Sequence, residues 1–128
     1  MSNIIVDTSV IVDYLRRSDK ERSFFVSLLN QERDLCASIV THTEVYSGKS
    51  VWERKEMRGV IADIFSGIII LPYDFAISEQ AGRLRARYDM QFADAIIAAT
   101  ALSQTLPLAT LNRKDFEGIE GLNLLPLS

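Results

Sequence analysis

The chain has 128 residues, of which 48% are hydrophobic and 24% are charged, a balance typical of a globular protein and not of a disordered one. Its formal net charge of −3 neither establishes nor excludes a nucleic-acid partner and indicates only that non-specific binding of polyanions should be weak. We expect one domain over residues 1–128,. No apolar run is long enough to cross a bilayer, and the first residues do not have the pattern of a signal peptide. A lone cysteine, Cys36, cannot form an internal disulfide, so we expect a cytoplasmic protein without a membrane partner.

The first predicted element is a strand over residues 4–6, where three aliphatic residues follow one another without polar alternation. Such a run is typical of a strand buried on both faces of a parallel sheet. Asp7 would lie at the carboxyl end of this strand, where open α/β sheets form their ligand crevice. A helix over residues 10–16 follows, capped by Thr8 or Ser9,. Taken alone, Asp7 could equally be a turn or cap residue.

Helices and short apolar strands alternate along the rest of the chain. Periodic apolar residues and turn signals predict further strands at residues 35–40, 68–71, 107–110 and 122–125. They predict helices at residues 21–31, 41–47, 51–65, 74–88 and 90–104, and a helical turn at residues 112–116. This alternation indicates the α/β class, with a three-layer α/β/α sandwich around a mostly parallel central sheet.

Three side chains carry expectations of their own. Cys36 is predicted to be buried in the second strand. Phe75, on the helix predicted at residues 74–88, is expected to be available for packing. Trp52 is the first choice for an exposed aromatic residue, although it could equally lie under a neighbouring helix. The apolar faces of the helices at 21–31 and 51–65 could accept a helix of a partner protein or a second copy of the chain.

Acidic and amide side chains recur near the ends of the predicted strands. Each lies at a boundary that a parallel sheet would bring to its carboxyl edge: Asp7, Glu44, Asp94, Asn112 and Asp115. Neighbouring carboxylates repel one another unless a cation compensates them, and oxygen donors suit Mg²⁺ or Mn²⁺. Such an ion can activate a water for in-line displacement at phosphorus. Zinc is disfavoured because His42 and Cys36 are the only residues of their types,.

These residues also have purely structural interpretations. Thr41 and Glu44 have the spacing of a capping box, in which the Glu side chain returns to the Thr amide. Asn112 and Asp115 could cap a turn. Asp94 is harder to explain in this way, because it lies on a helix with almost no polar face, where an uncompensated charge is costly. Asp94 therefore favours a functional role.

The order and spacing of these segments resemble the PIN-domain family, and more narrowly its VapC-type toxin ribonucleases. The resemblance runs nearly end to end and rests on IIVDTS at 4–9, TEVYSG at 43–48, DAIIAATA at 94–101 and TLNRKDF at 110–116. It implies a PIN-like fold and Mg²⁺-dependent endonucleolytic cleavage of RNA, with Mn²⁺ as a plausible substitute. It also implies a toxin–antitoxin (VapBC) module, with a cognate VapB-type antitoxin, a homodimer, and a heterotetramer or larger assembly with the antitoxin.

The resemblance also assigns roles to individual residues. Asp7, Glu44 and Asp94 match the three acids of the family's active site and are expected to hold the metal ion. Asn112 matches a fourth position that is Asp or Asn in the family, and Asp115 matches a second acid often found in the same motif. Because Asn112 carries no charge, we expect one dominant metal ion. Glu44 could also take a proton from the attacking water. The resemblance implies that this water displaces the 3′ oxygen and leaves a 5′ phosphate.

Supporting residues surround this set. Thr8 and Thr110 are plausible hydroxyl partners of the acids. Arg113 and Lys114 flank the fourth motif and are the first candidates for RNA phosphate contacts. Further basic positions are Arg16, Arg17, Lys20, Arg83 and Arg87. The last two share a helix face, and a solvated face explains them better than RNA binding does. Two alternatives remain open, a catalytically silent PIN-like scaffold and a metal-dependent phosphohydrolase of small molecules.

Overall fold

The computed structural model describes residues 3–127, so residues 1–2 and 128 of the expected domain lie outside the described residues. Its strands are β1 (Asn3–Val6), β2 (Asp34–Ser38), β3 (Ile69–Leu71) and β4 (Leu108–Ala109). Its helices are α1 (Thr8–Arg16), α2 (Phe24–Leu29), α3 (Ile39–Tyr46), α4 (Lys49–Glu53), α5 (Lys55–Ser66), α6 (Phe75–Arg87) and α7 (Phe92–Gln104). Two short 3₁₀ helices lie at Lys20–Arg22 and Arg113–Asp115.

The four strands form one parallel sheet in the order β3-β2-β1-β4. Ile5 of β1 is in register with Cys36 of β2 on one side and with Leu108 of β4 on the other. This confirms the predicted parallel sheet. The strand predicted at residues 122–125 is wrong, because there Leu124 makes only an isolated parallel bridge to Leu108.

Alternate residues of β1 feed two separate hydrophobic clusters. Ile4 and Val6 pack on one face of the sheet with side chains of α1, α2 and α5. Ile5 packs on the other face with α6 and α7, as the alternation of side chains along a strand requires. Helix α7 is buried from Ala95 to Ala101, which explains why its sequence is apolar nearly all round. The α/β/α layering is therefore confirmed.

Two predicted helices are interrupted. The helix expected at 21–31 is a 3₁₀ turn followed by α2, which begins after Ser23, whose hydroxyl accepts a hydrogen bond from the Val26 amide at 3.2 Å. The helix expected at 51–65 is divided at Arg54, which has an extended backbone between α4 and α5. Apolar periodicity continues through both breaks, so it could not reveal them.

Helix caps correct the sequence prediction at two places. The strand expected at 35–40 ends at Ser38, whose hydroxyl accepts from the Val40 amide at 3.1 Å and begins α3 there. Thr41 is thus inside α3, and the predicted capping box with Glu44 is wrong. At α1 the capping position belongs to Asp7, not to Thr8 or Ser9, although the Asp7 side chain makes no capping hydrogen bond.

The individual side chains bear out two of three expectations. Cys36 is buried in β2, and Trp52 is 63% exposed. Phe75, however, is 95% exposed, so its predicted packing is wrong. It lies outside the buried stripe of α6, which consists of Ile77, Ala81 and Leu84 at helical spacing. No helix within residues 3–127 has both the length and the apolar composition needed to cross a membrane.

Candidate active site

Asp7 is held at the junction of β1 and α1 and is only 2% exposed. Its amide donates to the carbonyl oxygen of Ala109 at 2.9 Å, which fixes the end of β1 against β4. Its carboxylate oxygen Oδ2 accepts two hydrogen bonds at 2.7 Å, from Ser9 Oγ and from Thr110 Oγ1. Two hydroxyl donors satisfy this buried side chain and orient it. The other oxygen, Oδ1, is left to serve a ligand.

The same hydroxyls anchor the loop that follows β4. Thr110 Oγ1 accepts from the Asn112 amide at 3.0 Å, and Ser9 Oγ accepts from the Leu111 amide at 3.0 Å. The predicted supporting hydroxyl Thr110 is therefore in contact with Asp7. The sequence interpretation gave Ser9 a capping role only and missed its contact with the carboxylate, although its position two residues after Asp7 allows a local side-chain hydrogen bond.

Thr8 connects α1 with Glu44 on α3. Its hydroxyl donates to Glu44 Oε1 at 2.6 Å and lies 3.2 Å from the hydroxyl of Thr41. Glu44 is an exposed residue, so this short bond gives direction to a side chain that would otherwise sample several rotamers. Thr41, which the capping box assigned to a helix start, instead lies buried behind this pair.

Asp94 lies in the first turn of α7 and is half-buried. Burial is the main cause that raises the pKa of its carboxyl from 3.8 to about 6. The negative charges of Asp7, Asp115 and Glu44 raise it further, in that order. Ionising Asp94 therefore costs more free energy than ionising a solvated carboxyl, and an entering cation would offset that cost.

One cleft of about 630 Å³ collects most of the predicted residues. Its lining includes Asp7, Glu44, Asp94 and Asn112, which come from four separate segments of the chain. Asp115 does not line this cleft and lies in a neighbouring depression, but its charge acts on Asp94. The carboxyl edge of the sheet thus brings the predicted acids together.

The basic residues are distributed differently from the expectation. Arg113 donates to the carbonyl oxygen of Leu125 at 2.9 Å and, with Lys114, lines the neighbouring depression and not the acidic cleft. The cleft instead includes Arg16 and Arg17. The assignment of Arg113 and Lys114 to RNA phosphates stays a prediction.

Sequence reasoning also missed Asp13, which lines the cleft and forms an ion pair with Arg17 at 3.6 Å. The signal was available, because Ser9, Asp13 and Arg17 are spaced by four residues and so share one face of α1. Without the location of the cleft, that face had no special meaning.

The donor set fits a hydrated divalent cation. All of the acidic donors are carboxylate oxygens, which suit Mg²⁺ or Mn²⁺, and their repulsion at Asp94 would be relieved by positive charge. Between residues 3 and 127, no three His, Cys, Asp or Glu side chains already form a direct metal cage. Mg²⁺ commonly needs none, since it keeps several waters and takes one or two carboxylates.

Comparisons with known proteins agree with this geometry. Residues 4–122 match the family model of the PIN domain. Ribonuclease VapC10 of Mycobacterium tuberculosis is 32% identical over 124 residues, which cover 93% of this chain and 90% of the relative. Ribonuclease VapC1 of Methanocaldococcus jannaschii is 30% identical over 128 residues, or 96% of this chain and 85% of the relative.

Solved structures share the fold over nearly the full chain. A toxin–antitoxin complex from Klebsiella pneumoniae contains a chain with a TM-score of 0.78 and 26% identity, with 98% of both chains covered. The crystal structure of DNA-bound VapBC from Salmonella typhimurium gives a TM-score of 0.80 at 22% identity, with 100% of both chains covered. The second likeness is one of fold alone.

Proposed function

The chain belongs to the PIN-domain family, and on that premise we propose that it is a metal-dependent endoribonuclease, the toxin of a VapBC-type toxin–antitoxin pair. Two ribonucleases with at least 30% identity over nearly the whole chain support the activity. A toxin–antitoxin complex of the same fold supports the antitoxin partner. The observation that carries the proposal is that Asp7, Glu44 and Asp94 line one cleft.

Nucleases of this family depend on a metal ion, and we assign Mg²⁺ to this role, with Mn²⁺ as a substitute. The reason is the all-oxygen donor set. When bound, such an ion polarises a phosphoryl oxygen and lowers the pKa of a water. Asp7 and Asp94 would hold it, with Glu44 assisting. The two hydroxyls that donate to Asp7 Oδ2 fix the orientation of that carboxylate,.

Glu44 is the residue that receives a proton from the attacking water. It is exposed to the cleft and is oriented by the Thr8 hydroxyl, which suits a group that must exchange protons with solvent. Asn112 orients the water by hydrogen bonding, and Asp115 adds negative charge near Asp94. The water oxygen bonds to phosphorus while the bond from phosphorus to the 3′ oxygen breaks. The departing 3′ oxygen takes a proton from solvent, so the products are a 5′ phosphate and a 3′ hydroxyl.

RNA and a VapB-type antitoxin are thus the proposed partners, and the cytoplasm is the proposed location. We further propose that the toxin forms a homodimer and, with its antitoxin, a heterotetramer or larger complex. Light scattering after size-exclusion chromatography measures both masses. A monomer at all concentrations, with or without antitoxin, would contradict the assembly while leaving the nuclease activity untouched.

The activity itself is tested with protein purified free of antitoxin and incubated with total RNA. We expect discrete cleavage with Mg²⁺ and none with EDTA. Asp94→Asn should reduce the rate by at least about a hundredfold, since it removes a charge that holds the metal ion. Asp63→Asn is the matched control, because Asp63 is an exposed acid of α5 outside the cleft. Equal cleavage by both variants would refute the assignment of Asp94 to the site. If the wild type cuts no RNA either with or without a metal ion, the silent scaffold is favoured.

A further inference from the structure

One face of α1 runs along the whole acidic cleft. Ser9, Asp13 and Arg17 line it at intervals of four residues, and Arg16 lies beside Arg17. The amino-terminal end of the helix meets the catalytic acids through Asp7 and Thr8. Its carboxyl-terminal end carries the basic residues. The cleft therefore changes from an acidic end to a basic end along a single helix.

The basic residues at the end of α1 are not equivalent. Lys20 Nζ donates to the carbonyl oxygens of Tyr14, Leu15 and Arg17 at 2.8–3.0 Å, so it neutralises the end of the helix. Arg17 is also committed, to the Asp13 carboxylate and to the carbonyl oxygen of Asp19.

Arg16 differs from both. It is exposed, it lines the cleft, and it makes no hydrogen bond or ion pair with any residue between 3 and 127. Because Lys20 already serves the helix carbonyls, the Arg16 guanidinium is not needed to stabilise the terminus. It presents a positive charge with free donors inside a cleft whose other end holds carboxylates. A free guanidinium at one end of the cleft and a metal site at the other fit a ligand with more than one anionic group, long enough to reach both ends.

We propose that Arg16 binds a backbone phosphate of the RNA, a few nucleotides away from the phosphate that is cleaved. The inference rests on the proposed ribonuclease function and adds a second contact point to it. Eight residues of helix separate Thr8 from Arg16, which is about 12 Å. That distance corresponds to about three stacked nucleotides at roughly 3.4 Å each, and to fewer in an extended strand. A guanidinium suits this role because its donors match phosphate oxygens in pairs.

RNA is favoured over an acidic peptide because Arg16 lies in the same cleft as the acids. A ligand that reaches both ends must tolerate carboxylates at one end and offer an anion at the other. The phosphates of a polynucleotide meet both requirements. A cation bound with the scissile phosphate offsets the carboxylates at one end, and another phosphate of the same strand reaches Arg16 at the other. An acidic peptide would be repelled by Asp7, Glu44 and Asp94.

The first test measures binding without cleavage. Asp7→Asn protein is titrated into a fluorescent single-stranded RNA oligonucleotide of mixed sequence over a range of salt concentrations. Adding Arg16→Gln should weaken binding about fivefold to tenfold and lower the slope of log K against log salt by about 0.7, the value for one phosphate contact on a single strand. Arg16→Lys should keep the slope. Arg83→Gln, an exposed arginine of α6 outside the cleft, should match the parent.

The second test locates the contact. On an RNA that the wild-type protein cuts, single phosphates near the cut site are replaced by uncharged methylphosphonates. One position is expected to raise KM for the wild type but not for Arg16→Gln, with kcat nearly unchanged. If every position affects both proteins equally, Arg16 does not bind a phosphate.

The outcomes separate the inference from the function on which it rests. Suppose that cleavage requires Asp7 and Asp94, but that Arg16→Gln and Arg83→Gln have the same salt dependence of RNA binding and the same KM. The phosphate contact of Arg16 is then refuted, while the nuclease proposal stands. If the wild type cuts no RNA while the Arg16 slope persists, the nuclease proposal fails and the contact stands. Loss of antitoxin binding in Arg16→Gln, with unchanged RNA binding, would assign Arg16 to the protein partner instead.

Discussion

Asp94 lies in the candidate active site, where its surroundings make the loss of its proton less favourable than in the unfolded chain. Its pKa is raised from 3.8 to about 6 by burial and by the charges of Asp7, Asp115 and Glu44, so the metal-free fold binds the Asp94 proton more tightly than the unfolded chain does. Stability from this group is therefore present below about pH 4 and is lost as the pH rises through about 6. Strain of this kind is common where an active site has to receive a cation.

The corresponding prediction concerns Asp94→Asn in the absence of metal. At neutral pH we expect the variant to melt about 2–4 °C higher than the wild type, since the repelled charge is gone, and the difference should vanish near pH 4. Thermal melts between these pH values, with Asp63→Asn as control, measure it. A lower melting temperature for Asp94→Asn at neutral pH would mean that the carboxylate has a partner in the metal-free fold.

Thr110 is predicted to act on catalysis through Asp7. Thr110→Val keeps the shape but removes the hydroxyl that donates to Asp7 Oδ2 and accepts from the Asn112 amide. We expect metal affinity or activity to fall about 10–100-fold, while Thr110→Ser retains most of both. Calorimetric titration with Mg²⁺ or Mn²⁺ separates metal binding from rate. Full activity in Thr110→Val would remove Thr110 from the site.

At the scale of the helix, Ser38 determines where α3 begins and thereby where Glu44 lies. Ser38→Ala removes the hydroxyl that accepts from the Val40 amide and should destabilise the fold by about 1 kcal/mol. Urea denaturation of this variant beside Ser50→Ala, an exposed serine of α4, provides the comparison. Equal midpoints for the two variants would show that the cap contributes nothing.

Glu44→Gln distinguishes the observed arrangement from a capping box. If Glu44 were a capping residue, the variant would be less stable and would keep its activity. Because Thr8 donates to Glu44 and Glu44 lines the cleft, we expect a variant that is stable and inactive. The variant should keep the melting temperature of the wild type within about 2 °C, because the residue is exposed, and lose most RNA cleavage. A destabilised but active variant would restore the capping interpretation.

The elements show what local sequence can and cannot predict. The apolar run before Asp7 and the nearly all-apolar α7 have few alternative structures, so their type and the position of their acids could be predicted. Ser38 was missed because the residues from Leu35 to Val40 form one continuous strand-like run, and only the sheet register decides where it ends. Phe75 was misplaced although the signal was present, because it lies two residues before Ile77 and therefore off the helix face of Ile77, Ala81 and Leu84,. Arg16 and Arg17 could be named as basic positions from the sequence, but only the cleft shows that they lie beside the acids.

At the scale of the whole molecule, β1 joins the two hydrophobic clusters because Ile4 and Ile5 face opposite sides of the sheet. We therefore expect residues 3–127 to unfold in one cooperative transition, as the single predicted domain requires. Ile5→Ala should lower the free energy of unfolding by about 2–5 kcal/mol without splitting that transition. Two separate transitions by fluorescence and circular dichroism would mean that the helices on the two faces fold independently.

The pairing of β1 with β4 has a consequence for the synthesis of the protein. Asp7 precedes Thr110 by 103 residues in the chain, so the ribosome adds Asp7 long before Thr110. Until residues 109 and 110 have been added, neither the Ala109 carbonyl nor the Thr110 hydroxyl is present to hold the carboxylate. Asp7, Glu44 and Asp94 all precede this segment in the chain. A nascent polypeptide therefore carries all three acids before it carries the Ala109 and Thr110 groups that hold Asp7. A chain that ends before Thr110 therefore lacks both of the groups from this segment that hold Asp7 in place.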